Sequence, residues 1–142
     1  MKPRHLILAF ITLIMPPGFG WQAGESDLAE FFQAVGQVES GHDDDALGKD
    51  YEVGRYQITF AYHSDAEDRL KTGRAWTDVT DKAYAERIMH AYYKRWEPAA
   101  YHARDYETLS RLHNSGPGWA KKKHKTDAYW NKVKAELDKN SP

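Results

Sequence analysis

The sequence contains no cysteine. Disulfides, thiol nucleophiles and cysteine-held zinc are therefore excluded, and the folded chain must be held by its core alone. There is almost no net charge: 20 Lys and Arg stand against 21 Asp and Glu, a formal −1. A protein built around a nucleic-acid backbone carries a basic excess, so no nucleic-acid partner is expected. Ligand spacing for a metal is also missing. His42, His63, His90 and His102 form no H-E-x-x-H or related pattern. Asp43, Asp44 and Asp45 lack the alternating ligands, central Gly and terminal Glu of an EF-hand loop, so a solvated acidic turn is the expectation there. Neither a metal nor a cofactor is expected.

What the chain does have is aromatic bulk, 13% of its residues, including Trp76, Trp96, Trp119 and Trp130. With 142 residues it is long enough for one domain with a real core. Its first residues read as a secretory signal: Lys2, Arg4 and His5 are basic, Leu6 to Met15 is apolar but too short to span a bilayer, and Pro16-Pro17-Gly18 breaks the run. Gly18 and Gly20 are small enough to flank a cleavage site, which places the cut after Gly20, with Ala23 as the other choice. The expected organisation is a signal peptide over 1–20 and one domain over 21–142. Removal of the signal takes the formal charge to −3 and leaves nothing for stable membrane insertion. A secreted or periplasmic monomer is expected.

Hydrophobic periodicity predicts a mainly helical domain. Over 27–40, Leu28, Phe31, Phe32, Val35 and Val38 fall on one helical face, with Asp27 and Glu30, or Ser26, as caps and Gly41 as a stop. From Gly41 to Gly54 the periodicity lapses into Asp, Gly and Lys, which predicts a loop or short β-hairpin. Tyr56 and Ile58 then alternate with polar neighbours as on a short extended segment. Thr59 or Ser64 starts a helix to about Leu70, ended by Thr72-Gly73. Thr80 caps the next, whose stripe of Ala85, Ile88, Met89, Tyr92 and Trp96 reads as core. A shorter helix spans about 105–113, Asn114 to Gly118 is a turn, and Thr126 caps a final helix over 127–138 with Tyr129, Trp130, Val133 and Leu137 inward.

Glu39 stands out because it shares the apolar face of the first helix, four residues after Val35 and seven after Phe32. Burial there disfavours the charged carboxylate, and so does the C-terminal end of the helix dipole. A carboxylic acid kept protonated near neutral pH is equipped to donate a proton. Asp50 lies eleven residues on, in the polar excursion, where a hydrated carboxylate would complete the unequal pair used in glycoside hydrolysis. Glu52, Asp45 and Asp44 compete with Asp50 for that second position. A Ser/His/Asp site from Ser110, Ser115, His113 and Asp105 is the weaker constellation, since no G-x-S-x-G elbow occurs. A structural His113 bonding the turn after its own helix is the expectation. Lys121-Lys122-Lys123-His124-Lys125 reads as a solvated run, with attraction to anionic wall polymers as its functional alternative.

Several segments carry a resemblance in a fixed order: Val38-Glu39-Ser40-Gly41, Ala46-Leu47-Gly48, Gly54-Arg55-Tyr56-Gln57-Ile58, Ala91 to Trp96, and Leu112-His113-Asn114-Ser115-Gly116-Pro117-Gly118 with Thr126 and Tyr129 to Val133. Over about residues 30–137 the chain resembles the invertebrate-type (destabilase-like) lysozymes and their bacterial relatives. The resemblance implies an α+β lysozyme-like fold and cleavage of the β-1,4 bond between N-acetylmuramic acid and N-acetylglucosamine in peptidoglycan glycan strands. It places Glu39 as general acid and Asp50 as best match to the catalytic Asp, with Tyr56, Gln57, Ile58, His113 and Asn114 lining the substrate cleft. Three departures stand out. The missing cysteines fit the bacterial branch. Arg55 replaces the usual second residue of the G-P-Y-Q-I segment and adds a charge near the cleft. Ser115 replaces the first Gly of H-N-G-G-P, a poor exchange if that position has positive φ. Two other readings stay open: a lytic transglycosylase using Glu39 alone, and a non-catalytic wall-binding or lysozyme-inhibiting module on the same scaffold.

Overall fold

The computed structural model describes residues 28–140. The expected signal peptide and the capping residues Ser26 and Asp27 lie outside the described residues. Six α-helices carry the fold: α1 (Ala29–Ser40), α2 (Phe60–Leu70), α3 (Lys82–Trp96), α4 (Pro98–Ala103), α5 (Tyr106–Ser115) and α6 (Asp127–Asn140). Two 3-10 segments, Trp76–Thr80 and Trp119–Thr126, precede α3 and α6. The domain is mainly helical, with no strand longer than a bridge among the described residues.

The first helix forms as its spacing predicts. Leu28, Phe31, Phe32 and Val35 are buried, Val38 is half-buried, and Gly41 ends the helix in the left-handed conformation with its N–H on the Gln37 carbonyl. α1 packs on α6, α2 on α3, and α5 on α6. Aromatic rings fill the junctions. Phe31 stacks on Tyr106 at 5.0 Å between centroids, Phe32 meets His90 edge-on at 4.8 Å, and Tyr62 stacks on Tyr92 at 3.6 Å. Each such ring removes well over 100 Å² of apolar surface from water, enough to organise a core without disulfides.

The polar excursion is a small hairpin. Leu47 bridges Val53, and Val53 bridges Ile58, both antiparallel. Gly48 N–H donates to Glu52 C=O at 2.8 Å, and Gly54 N–H to Ala46 C=O at 2.8 Å. The predicted extended segment over Tyr56–Ile58 is a turn instead. Gln57 sits at φ 48°, and its backbone N–H and side-chain amide both donate to Gly54 C=O. That left-handed residue replaces the extended backbone by a turn, and Tyr56 and Ile58 on either side of it are both buried.

Other elements shift by smaller amounts. Asp81, not Thr80, caps α3, its carboxylate accepting from Tyr84 N–H; a charged acceptor suits the positive end of a helix. Lys71 in left-handed conformation, not Thr72-Gly73, ends α2. Trp96 is 38% exposed, because α3 stops there before any helix can cover it; its indole donates to Asp65 instead. The connection after Pro98 folds into α4, too short to show a period. α5 runs on through Asn114 to Ser115, and Gly116 carries the positive φ of 74°. Ser115 is therefore helical, and its replacement of Gly strains nothing. Lys121 to Lys125 are exposed, within the 3-10 segment. Thr126 is buried, donating to Lys123 C=O and accepting from Arg111.

Candidate active site

Glu39 is the penultimate residue of α1, and its side chain is 19% exposed. Burial is the main reason its pKa rises from 4.5 to about 7. The negative charge of Glu52 pushes the same way, while the Tyr129 hydroxyl and the Lys132 ammonium partly oppose it. The Tyr129 hydroxyl is itself buried, close enough to favour ionised Glu39 but without a well-directed hydrogen bond. α1 thus presents a carboxylic acid about half protonated at neutral pH.

The Glu39 carboxyl opens onto a polar cleft of about 350 Å³ between the hairpin and the C-terminal end of α5. Lys49, Asp50, Glu52 and Gln57 line the hairpin side, with Thr59 at the start of α2 and His113 and Asn114 opposite. A wider hollow of about 570 Å³ lies by Phe60 and Trp76. Of its two carboxylates, Glu67 is engaged by Thr72, Gly73 and Tyr84, and Asp68 is paired with Arg95, so the chemistry points to the narrower cleft.

Of the residues expected at the site, Glu39, Asp50, Gln57, His113 and Asn114 border one cleft. Tyr56 and Ile58 do not. At 1% and 0% exposure their side chains belong to the core. The Tyr56 hydroxyl donates to Glu86 on α3 at 2.7 Å, and burial with that neighbouring carboxylate raises its pKa far above the usual range. Ile58 offers its carbonyl to the Trp76 indole. Both residues act on the cleft by holding the hairpin down.

His113 does not bond the turn after its own helix. Its side chain, 3% exposed, reaches across to the hairpin. Nε2 lies 3.0 Å from the Tyr56 carbonyl and 3.5 Å from Glu39 Oε1; Nδ1 lies 3.1 Å from the Tyr93 hydroxyl and 3.4 Å from that of Tyr62. Burial pushes its pKa down to about 4, so the ring is neutral at pH 7. A carbonyl on one side and hydroxyls on the other assign the Nε2–H tautomer, donating to Tyr56 C=O and accepting from Tyr93. Because the imidazole is neutral, its contact with Glu39 is a packing contact rather than an ion pair. The Tyr129 ring stacks on the same imidazole at 17° and 6.4 Å.

The remaining candidates have other work. Arg55 is clamped by Asp44, with Nε to Oδ1 at 2.7 Å, and each holds the other charged. Its guanidinium faces that turn and is not on the cleft wall, contrary to the expectation of added cleft charge. Asp43 accepts from Asp45 N–H, closing the acidic turn. Asp105 caps α5 through Thr108, and the buried Ser110 hydroxyl has no partner, so neither joins His113 in a triad. Among the described residues no group of three or more His, Cys, Asp or Glu is placed to hold a metal ion.

Two contributors escaped the sequence reading. Tyr129 was legible as an inward residue, but not as the neighbour of Glu39. Arg111, 4% exposed, ties Glu107, Asp127, Thr126 and the Lys123 carbonyl together and so fixes the start of α6 against α5. A charged residue on the buried side of a helix was the available signal.

Residues 29–136, which hold every element of this site, match the Destabilase family model. The chain belongs to the Destabilase family. It is thereby a member of the invertebrate-type lysozymes, a family of lysozyme-like glycoside hydrolases. No curated protein and no solved structure gives a match to this Destabilase chain.

Proposed function

We propose that this protein is a muramidase that hydrolyses the β-1,4 bond between N-acetylmuramic acid and N-acetylglucosamine in peptidoglycan. The observation that carries the reading is the buried Glu39, its pKa raised to about 7, on the wall of a polar cleft. Glu39 delivers its proton to the glycosidic oxygen as the C1–O bond breaks, and an ionised carboxylate from the hairpin faces the positive charge that develops at C1. Water then adds to C1 and returns a proton to Glu39. Asp50 and Glu52 both border the cleft from the hairpin, and Gln57 and Asn114 supply amide groups for the sugar.

The apolar N-terminal run supports export of the protein, to the periplasm or beyond. Lack of cysteine supports placement in the bacterial branch of the family. The test is digestion of purified peptidoglycan, with mass spectrometry of the fragments. Reducing muropeptides are the expected product. Anhydro-muropeptides would replace the hydrolase by a transglycosylase, and wall binding without any fragments would mean that only the scaffold is shared.

A further inference from the structure

We propose that Glu52, rather than Asp50, is the second catalytic carboxylate, fixed in the cleft by the Asp50 backbone amide and by a side-chain vacancy at Gly48. The assignment rests on the muramidase reading and names the residue that the reading leaves open.

Four acidic residues on the hairpin compete for the role, and the structure separates them. Asp44 is consumed by Arg55. Asp45 is exposed in the acidic turn and does not border the cleft. Asp50 borders the cleft, but it is exposed and its carboxylate accepts no hydrogen bond among the described residues. What Asp50 contributes is its backbone: its N–H donates to Glu52 Oε2 at 3.0 Å. Glu52 is half-buried, and its main chain is pinned by the 2.8 Å bond from Gly48 N–H to its carbonyl. A catalytic group has to be held in place before the substrate arrives, because freedom left to it must be removed in the transition state.

Gly48 explains how the carboxylate fits. A Cβ at position 48 would overlap Glu52 Oε2 and come within 2.5 Å of Gln57 Oε1. The missing side chain therefore leaves the space in which the Glu52 carboxylate and the Gln57 amide sit. The Gln57 amide nitrogen is anchored on Gly54 C=O at 2.9 Å, which fixes its oxygen beside that space. The negative charge of Glu52 is also felt at Glu39 across the cleft, as an acid and its partner flanking one bond should feel each other.

In the reaction, the Glu39 proton goes to the leaving oxygen, which takes the electron pair of the C1–O bond. The cationic sugar is stabilised by ionised Glu52 until water adds to C1 and its surplus proton restores Glu39.

The experiment compares Glu52→Gln, Asp50→Asn and Gly48→Ala on purified peptidoglycan, with folding checked by circular dichroism. Wild-type release of reducing ends establishes the muramidase reading independently of these variants. Glu52→Gln is expected to lose about 100-fold or more in kcat, the usual cost of removing a charge-stabilising group. Its residual kcat/KM should show an alkaline limb at lower pH than wild type, because a like charge beside Glu39 has gone. Gly48→Ala should lose turnover in the same way by evicting the Glu52 carboxylate. Wild-type turnover in folded Glu52→Gln overturns the proposal. Asp50→Asn losing turnover while Glu52→Gln keeps it returns the role to Asp50.

Discussion

Replacing Glu39 by Gln should destroy activity and stabilise the protein, and the second effect should depend on pH. The carboxyl ionises near 4.5 in an unfolded chain and near 7 in the folded one. Between those values the folded state holds a proton that the unfolded state has released. Stability therefore falls as pH rises through that window, and above about pH 7 the loss is complete. A displacement of that size corresponds to about 3 kcal/mol. The side chain is only 19% exposed, so solvent screens little of it. Gln cannot ionise and keeps the volume. Glu39→Gln should thus be close to wild type in thermal unfolding at pH 4, and more stable at pH 8 by about 3 kcal/mol, on the order of 10 °C in Tm for a domain of this size. The same variant should release no reducing ends from peptidoglycan. Two outcomes would refute the reasoning. Equal Tm differences at the two pH values would mean that Glu39 is not held protonated by burial, and retained turnover would mean that another group supplies the proton.

The wild-type kcat/KM should fall tenfold per pH unit above about pH 7, as the free enzyme loses the Glu39 proton; a flat profile to pH 9 would contradict the general-acid role. His113→Ala should cost about 2–4 kcal/mol in urea unfolding, because it leaves the Tyr56 carbonyl and Tyr93 hydroxyl buried without their partner. Arg55→Ala should cost about 1 kcal/mol or less and leave KM for glycan unchanged, since the guanidinium is spent on half-exposed Asp44; a raised KM would place the charge in the cleft after all. Arg111→Ala should cost roughly 3 kcal/mol, the low end for a broken buried ion pair, because Glu107 and Asp127 can turn to water; an unchanged unfolding midpoint would remove Arg111 as the anchor of α6.

What the sequence made legible follows from the range over which each feature is determined. Helix α1 and its acid were readable because the apolar period and Glu39 share one face, and a helix face is fixed by residues within eight positions of one another. The turn at Gln57 was not readable, because apolar–polar alternation over three residues does not distinguish an extended backbone from one that contains a left-handed residue. Helix α4 was missed because six residues do not complete two turns. His113 was noticed, but its bond to a carbonyl 57 residues earlier has no local trace. Tyr129 shows the same limit: its spacing marked it as inward, and only the packing of α6 on α1 brings its hydroxyl to Glu39.

The site also shows how a chain without disulfides keeps an acid in an unfavourable state. Holding Glu39 protonated costs stability at neutral pH, so the cleft wall needs compensation nearby. It comes from three directions. α1 is anchored by Phe31 and Phe32 among the rings of Tyr93, Tyr106 and Tyr56. The hairpin is tied to α1 by Ser40 donating to Arg55 C=O, and to α5 by His113 donating to Tyr56 C=O. α6, which carries Tyr129 and Lys132, is set against α5 by Arg111. Each tie joins elements that bear a cleft residue or a close neighbour of Glu39, so the walls of the cleft brace one another. Loosening any of them should let water reach Glu39 and return its pKa toward 4.5. The position of the alkaline limb of activity is therefore a more sensitive gauge of this scaffold than its melting temperature.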